Sequence, residues 1–313
     1  MFVFTQPGNL FRKVMTKSEQ ENTISKTPKM RKKILLTTLP ATLLTAILLL
    51  GFSYSNPGRY YFLDVVRIPI QSTIMATAGD IIVGDYYIPM DAIVPSQNAL
   101  FFGEIEPYLR ELQTGDVFFT HSERYISSRI IPGKWKHSGI YLGSREQVRS
   151  FFGRDPQKLK LLEAYYQTGN ELLILDSSNE GVAIREVTRL SNLHAVSLLL
   201  GFSAYRINRD QADILSVFSY AMEQLGKPYD YDLLLDDSRA VYCSELLYHG
   251  LNRIGIELSL SEPVVGRNVV SPNMAVEYIQ LFGIPAGEFT RVLLLEKEDG
   301  KINNLVSDHL SMD

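Results

Sequence analysis

The segment from Gly226 to Gly255 has the sequence GKPYDYDLLLDDSRAVYCSELLYHGLNRIG and contains Cys243, the only cysteine in 313 residues. Leu247, Leu251 and Ile254 follow the cysteine at steps of four and three, which predicts a helix that begins near Cys243. A cysteine in the first turn of a helix lies beside unpaired backbone N–H groups and the positive end of the helix dipole, which favour thiolate over thiol. We therefore interpret Cys243 as a nucleophile. The opposing interpretation is a packed free cysteine, because this residue type is commonly buried.

Two other segments supply candidate partners for a nucleophilic thiol, which needs an imidazole as general base and a polar group that orients the imidazole. The segment KHSGIYLG, from Lys136 to Gly143, alternates as a strand does, and His137 lies at its start. The segment LKLLEAYY, from Leu159 to Tyr166, is also predicted to be a strand, with Glu163 among apolar neighbours. We expect nucleophile, base and orienting acid to come from three elements that only tertiary structure brings together. Each residue alone is more commonly structural.

The order of these motifs resembles that of a known family. TGDVFF, KHSGIYLG, LLEAY, GKPYDY and YCSELL are similar to motifs of the circularly permuted NlpC-type, papain-like cysteine hydrolases, in particular the YiiX/YebB-like branch. The resemblance covers about residues 110–285, and the histidine precedes the cysteine by 106 residues, as in the permuted arrangement. It implies an α+β fold with a central antiparallel sheet packed against the cysteine helix. It also maps the nucleophile onto Cys243, the base onto His137 and the orienting acid onto Glu163.

Three tyrosines near the cysteine are weaker candidates. Tyr242 directly precedes Cys243, and Tyr229 and Tyr231 lie in the GKPYDY motif, so these side chains are expected to line the substrate cleft or to support an oxyanion. The opposing interpretation is packing, because tyrosine is amphipathic and often fills the core or its rim. No Cys/His cluster has zinc spacing, and thiol hydrolysis uses side chains and water, so we predict no metal and no cofactor.

The N-terminal region differs in composition from the rest of the chain. Residues 1–33 carry eight Lys and Arg against two Glu, which gives a charge of +6 and leaves −10 for the remaining residues. An acidic body without a basic stripe argues against a nucleic-acid partner. From Ile34 to Tyr54 no charged residue occurs, and this length can span a bilayer. Because the basic flank stays cytoplasmic, a single uncleaved span would place the following domain outside the cytoplasm. A cleaved signal peptide is the rival interpretation.

These observations predict five regions and a function. The regions are a basic cytoplasmic tail (1–33), a transmembrane anchor or signal sequence (34–55), an extension of unknown role (56–104), the hydrolase domain (105–295) and a charged tail (296–313). The leading hypothesis is a membrane-anchored cysteine hydrolase that cleaves an amide through an acyl-enzyme. Relatives suggest peptidoglycan peptides as its substrate, by analogy. The alternatives are a lipid acyl hydrolase or acyltransferase on the same fold, and a ligand-binding module without catalysis.

Overall fold

The structure is a computed structural model that describes residues 40–53, 55–56, 59–78, 96–125, 128, 131–194, 196–235, 238–264, 267–304 and 306. The chain forms two compact units, Met1–Arg67 and Ile68–Asp313. In the first unit, residues 40–53 form helix α1, and helix α2 (Tyr61–Ala78) begins after a short turn. The predicted span runs beyond α1, but residues 34–39 and 54 lie outside the described residues. No described helix combines the length and the apolarity that crossing a bilayer requires.

The second unit is built on an antiparallel sheet of seven described strands. The strands are β1 (Val117–Ser122), β2 (His137–Gly143), β3 (Leu173–Ser178), β4 (Gly181–Glu186), β5 (Leu199–Ile207), β8 (Phe289–Glu298) and β9 (Lys301–Asn304). Their order in the sheet is β4-β3-β2-β1-β5-β8-β9. Short turns connect β3 to β4 and β8 to β9, whereas the central pairing of β1 with β5 joins strands distant in sequence. A separate hairpin consists of β6 (Glu262–Val264) and β7 (Arg267–Val269).

Alternation along the strands divides the core into two apolar layers. Phe118 belongs to one layer and the adjacent Phe119 to the other, because successive strand residues point to opposite faces. Helix α3 (Phe102–Leu109) packs on the Phe118 face through Ile105 and Leu109. The opposite face carries most of the other helices, which are α4 (Arg145–Phe152), α5 (Pro156–Glu163), α6 (Gln211–Glu223), α7 (Cys243–Asn252) and α8 (Pro272–Tyr278).

The predicted α+β architecture, an antiparallel sheet packed against the cysteine helix, is confirmed. The predicted strand at residues 159–166 is wrong, because residues 159–163 belong to helix α5 and residues 164–166 follow its end. Asp155 caps the helix by accepting the Lys158 N–H at 3.1 Å, and Pro156 occupies the first turn, where proline is favoured. The helix buries Leu162, whereas Leu161 is 46% exposed. The next strand after β2 in the chain is instead β3, which pairs with β2 and is not among the predicted strands.

Candidate active site

Cys243 is the first residue of α7, as the sequence predicted. The N-cap residue Tyr242 has an extended backbone, and its N–H donates to the Glu245 carboxylate at 3.1 Å, which closes the start of the helix. Cys243 is only 2% exposed. The helix packs on α6 and on strands β2 and β3, so the thiol lies where the helix start meets the sheet.

His137 begins β2 and lies opposite Thr120 of β1. Its side chain is 20% exposed and is within hydrogen-bonding reach of the Cys243 thiol. Gly139, the next residue on the same face of β2, leaves the space that this arrangement needs. A Cβ at Gly139 would lie 2.7 Å from the Phe118 ring and 2.9 Å from Asp176 Cβ, which is closer than real Cβ contacts. The HSG motif therefore combines an imidazole with room for the acid beside it.

Asp176 is the carboxylate that contacts the imidazole. Its Oδ2 lies 2.7 Å from His137 Nε2, and its side chain is 1% exposed. Asp176 lies on β3 directly opposite Gly139, so the sheet register fixes its position beside the histidine. Because Nε2 faces Asp176, Nδ1 is the ring nitrogen that remains for the thiol. Cysteine, histidine and aspartate thus form one chain of contacts.

Glu163 was predicted to orient His137, and the structure corrects this assignment to Asp176. Glu163 ends helix α5, where its carboxylate accepts a hydrogen bond from Arg149 and lies 3.9 Å from Arg145. The hydrogen bond from Arg149, together with the charges of both arginines, lowers the pKa of Glu163 despite some desolvation. Its side chain is 29% exposed. Glu163 therefore forms ion pairs with nearby arginines, which is the common structural role of a glutamate outside an active site.

The pKa shifts of the thiol and the imidazole oppose the effect of burial. Burial alone would lower the pKa of His137, but hydrogen bonds to Asp176 and Cys243, with their negative charges, raise it to about 10. Burial would raise the pKa of Cys243, but the hydrogen bond and charge of His137, with hydrogen bonding from Ser138, lower it. Both shifts favour a thiolate–imidazolium pair over a neutral thiol beside a neutral imidazole.

The three tyrosines take different places around the thiol. The Tyr229 hydroxyl is within hydrogen-bonding reach of Cys243, and burial, followed by the neighbouring thiolate, raises the pKa of Tyr229 well above its usual value. Tyr231 packs on Tyr229 with ring centroids 4.9 Å apart. Tyr242 is 2% exposed and packs in an apolar cluster with Val264 and Val269. The structure thus brings Tyr229 to the thiol, whereas Tyr242 packs in the core beside it.

Glu245 introduces a second titrating group two residues from Cys243. Its side chain is 2% exposed, and its Oε1 lies 3.5 Å from His249 Nε2. Burial raises the pKa of Glu245 to about 7, although hydrogen bonds from His249 and from the Tyr242 N–H act in the opposite direction. The charge at the start of α7 therefore changes near neutral pH.

Comparison with known proteins identifies the family. The family described as "Permuted papain-like amidase enzyme, YaeF/YiiX, C92 family" matches residues 111–295, which is more than half of the chain. The chain belongs to this family. It is therefore a papain-like cysteine hydrolase, and the predicted family and enzyme class are confirmed. The C92 match contains Cys243, His137 and Asp176.

This C92 family member is also similar to a solved structure. The structure described as metalloprotein YiiX from Escherichia coli O157:H7 aligns with 59% of this chain and 97% of its own, at 16% identity and a TM-score of 0.37. None of the curated proteins matches the chain significantly. Within the described ranges, no group of three or more His, Cys, Asp and Glu residues is arranged to hold a metal ion.

Proposed function

We propose that the protein hydrolyses amide bonds through a Cys243–His137–Asp176 triad. The observation that carries the proposal is the continuous chain of contacts from the thiol through the imidazole to a buried carboxylate, 2.7 Å from His137 Nε2. This arrangement supplies the three roles of a thiol hydrolase, which are nucleophile, general acid–base and orienting acid.

The reaction follows from the protonation states of the pair. The Cys243 thiolate attacks the carbonyl carbon, and the carbonyl oxygen takes the negative charge. The His137 imidazolium then gives its proton to the amine as the C–N bond breaks, which leaves a thioester. The neutral imidazole takes a proton from water, hydroxide attacks the thioester, and the acid product leaves as the thiolate is restored. Asp176 keeps the imidazole in one orientation and balances its charge.

Two donors support an oxyanion in this scheme. The first N–H groups of a helix have no intrahelical acceptor, and α7 begins at Cys243 itself. The Tyr229 hydroxyl reaches the same sulfur. We propose that Tyr229 donates to the thiolate in the free enzyme and to the carbonyl oxygen during the reaction. The proposed roles of Tyr231 and Tyr242 are limited to shaping the cleft wall around this tyrosine.

The substrate is proposed by chemistry and by analogy with relatives. Peptides of the cell wall, cleaved at an amide next to a D-amino acid or a γ-linked glutamate, remain the leading candidate. One observation favours a second candidate, an acyl lipid: the apolar cluster of Tyr242, Val264 and Val269, with Tyr229, Leu233 and Leu235 packed on it, lies beside the nucleophile. Such a wall suits an acyl chain as well as an apolar peptide side chain.

We also propose that residues 34–55 attach the enzyme to a membrane. The charge-free segment and its basic flank support this attachment, and a single crossing would place the hydrolase unit outside the cytoplasm. A helix at residues 40–53 with exposed Leu43, Ile47 and Leu48 agrees with contact between this segment and lipid.

The pH profile of iodoacetamide labelling tests the thiolate–imidazolium pair. We expect wild type to label at about pH 6.5 nearly as fast as at about pH 9, whereas a thiol with a pKa of about 8.5 is only about 1% ionised at the lower pH. The sign follows from the shifts: the lowered pKa of Cys243 increases the thiolate fraction at the lower pH, and His137, with a pKa of about 10, stays protonated over this range.

Two variants make this labelling experiment decisive. His137→Ala is expected to reduce the ratio of the labelling rate at about pH 6.5 to that at about pH 9 below about 0.05. The variant removes the cation that lowers the pKa of Cys243, whereas the burial that raises this pKa remains. Glu245→Gln removes the nearby titration without touching the pair and is expected to keep the wild-type ratio. A low ratio in wild type would contradict the proposed pair. Slow access of iodoacetamide to the buried thiol lowers both labelling rates equally, so it does not change their ratio.

A further inference from the structure

The first unit has an inverted distribution of polarity. Its buried side chains include Ser53, Asp64 and Arg67, which are 0%, 3% and 3% exposed. Its exposed side chains include large apolar residues, which on α1 are Leu43, Leu44, Ile47, Leu48, Leu49 and Phe52 and on α2 are Tyr61, Phe62, Val65 and Val66. A helical hairpin surrounded by water has the opposite arrangement, with apolar residues inside and charged residues outside.

The buried polar residues form one closed cluster between the two helices. The Ser53 hydroxyl donates to Asp64 Oδ1 at 2.6 Å, and Arg67 Nε donates to Ser53 Oγ at 2.9 Å. Arg67 also donates to Asp64 Oδ1 at 3.1 Å, which neutralises the carboxylate. Ionisable residues that lie at membrane depth behave in this way: they face the helix interface and pair with one another.

The exposed residues at the start of α2 lie on one side of the helix. Tyr61, Phe62, Val65 and Val66 follow the one- and four-residue steps of an apolar stripe, and each is at least half exposed. Asp64 and Arg67 lie on the other side of the helix, three residues apart. The apolar stripe is therefore a property of the sequence as well as of the packing.

The turn and the flanking charges are suited to lipid headgroups. Arg59 lies over the ring of Tyr60 at 5.8 Å, and Tyr60 packs against Phe52 with centroids 5.2 Å apart. Aromatic and cationic residues concentrate at the membrane interface, where apolar and polar surroundings meet. The +6 charge of residues 1–33 is complementary to anionic lipid.

We infer that α1 and the start of α2 form a hairpin embedded in the lipid surface, with the Ser53–Asp64–Arg67 cluster as its polar seam and the apolar stripes in contact with acyl chains. The occupant of the exposed surface is a bilayer. This inference replaces the single crossing of the predicted anchor with a hairpin that includes the start of α2. It does not depend on the catalytic proposal, since none of its residues belongs to the hydrolase site.

Bromolipid quenching of introduced tryptophans tests the hairpin in the full-length protein. Trp135 is the only tryptophan of the chain, so the emission that Phe62→Trp adds is a local reporter. In vesicles of phosphatidylethanolamine and phosphatidylglycerol containing brominated acyl chains, we expect roughly half or more of the added emission to be quenched, because an embedded apolar face reaches the acyl boundary. Phe282→Trp is the matched control, since Phe282 is 50% exposed in the hydrolase unit and its added emission is expected to persist.

The outcomes separate the bilayer from other occupants. Unquenched emission from Phe62→Trp would overturn the inference. Emission that resists bromolipid but changes when the protein is diluted would also overturn it, in favour of a second copy on this surface. Val66→Trp repeats the measurement one turn along the stripe, which guards against a folding defect of a single variant.

A second, independent inference concerns Arg185, and it rests on the proposed triad. Arg185 Nε lies 2.8 Å from Asp176 Oδ1, the oxygen that His137 does not use. The N–H is not aimed along the line to this oxygen, so the contact is a charge attraction rather than a well-formed hydrogen bond. Arg185 lies opposite Ile174 on β4, which makes it the diagonal neighbour of Asp176 on the same sheet face.

The guanidinium is itself held in place. Its Nη1 donates to Ser178 Oγ at 2.6 Å, and its Nη2 donates to the Gly181 carbonyl at 2.9 Å, so the turn between β3 and β4 fixes the head of the side chain. The arginine is 12% exposed, which limits screening of its charge by water. The geometry assigns Arg185 as a positioning residue that holds the Asp176 carboxylate toward His137.

Arg185→Met tests this role, with Arg189→Met as the matched control. Both arginines contact the Glu180 carboxylate, Arg185 at 3.2 Å and Arg189 at 3.0 Å, but Arg189 is 63% exposed and lies outside the triad. Because positioned acid–base groups contribute factors of about 10² to 10⁴, we expect Arg185→Met to lower kcat on the order of tenfold with KM unchanged. The labelling ratio of Cys243 should fall as well, and Arg185→Lys should restore part of it. An unchanged kcat and labelling ratio in Arg185→Met would refute the assignment.

Discussion

Asp176→Asn is expected to lower kcat/KM for amide hydrolysis by about 10⁴-fold, as loss of the orienting carboxylate does in serine hydrolases. Asn keeps the shape of the side chain but cannot carry the charge that balances the His137 imidazolium. Its amide can also donate to Nε2, which favours the wrong tautomer of the ring. The measurement is kcat/KM on a peptide amide, with thermal unfolding as the check that the buried site still folds.

Glu163→Gln is the matched control for this prediction. Both carboxylates belong to the second unit. Glu163, at the end of α5, contacts Arg149 of α4, whereas Asp176 contacts the His137 imidazole. We expect Glu163→Gln to change kcat/KM by less than about twofold, as most surface substitutions leave the site intact. If instead Glu163→Gln abolished hydrolysis and Asp176→Asn did not, the triad assigned here would be wrong.

Cys243→Ala is expected to reduce turnover to the background rate, a loss on the order of 10⁶-fold, because no other group can form the thioester. The experiment has two substrate arms. Purified peptidoglycan should release new amino groups with wild type and none with Cys243→Ala. Phospholipid vesicles should release fatty acid only if the apolar wall beside the thiol holds an acyl chain.

The two arms also separate the proposed substrates. Activity on peptidoglycan alone supports the amidase proposal in its leading form. Release of fatty acid alone, if it is lost in Cys243→Ala, would support Cys243 as the nucleophile and an acyl lipid, rather than a peptide, as the substrate. Peptidoglycan digestion that proceeds equally with Cys243→Ala would overturn the proposal that Cys243 is the nucleophile of a peptidoglycan amidase.

The error at Glu163 shows what local patterns leave open. Glu163 is an ionisable residue among apolar neighbours, and the LLILD run that ends at Asp176 has the same pattern. Asp155 and Pro156 also carried a helix-start signal that opposes a strand at residues 159–166. The LLILD pattern and the helix-start signal are both present in the sequence. Neither shows that Asp176 lies opposite Gly139, because that position depends on the register between β3 and β2.

Local patterns in the sequence predict Cys243 as the nucleophile and His137 as the base. A single cysteine at the start of an amphipathic helix and a histidine at the start of an HSG strand depend on local periodicity and on motif order, which are properties of the chain as written. Only the tertiary structure shows that Asp176 contacts His137, that Arg185 lies beside Asp176 and that the Tyr229 hydroxyl reaches the thiol. These residues meet across separate elements, where sheet register and helix packing set distances that no spacing along the chain encodes.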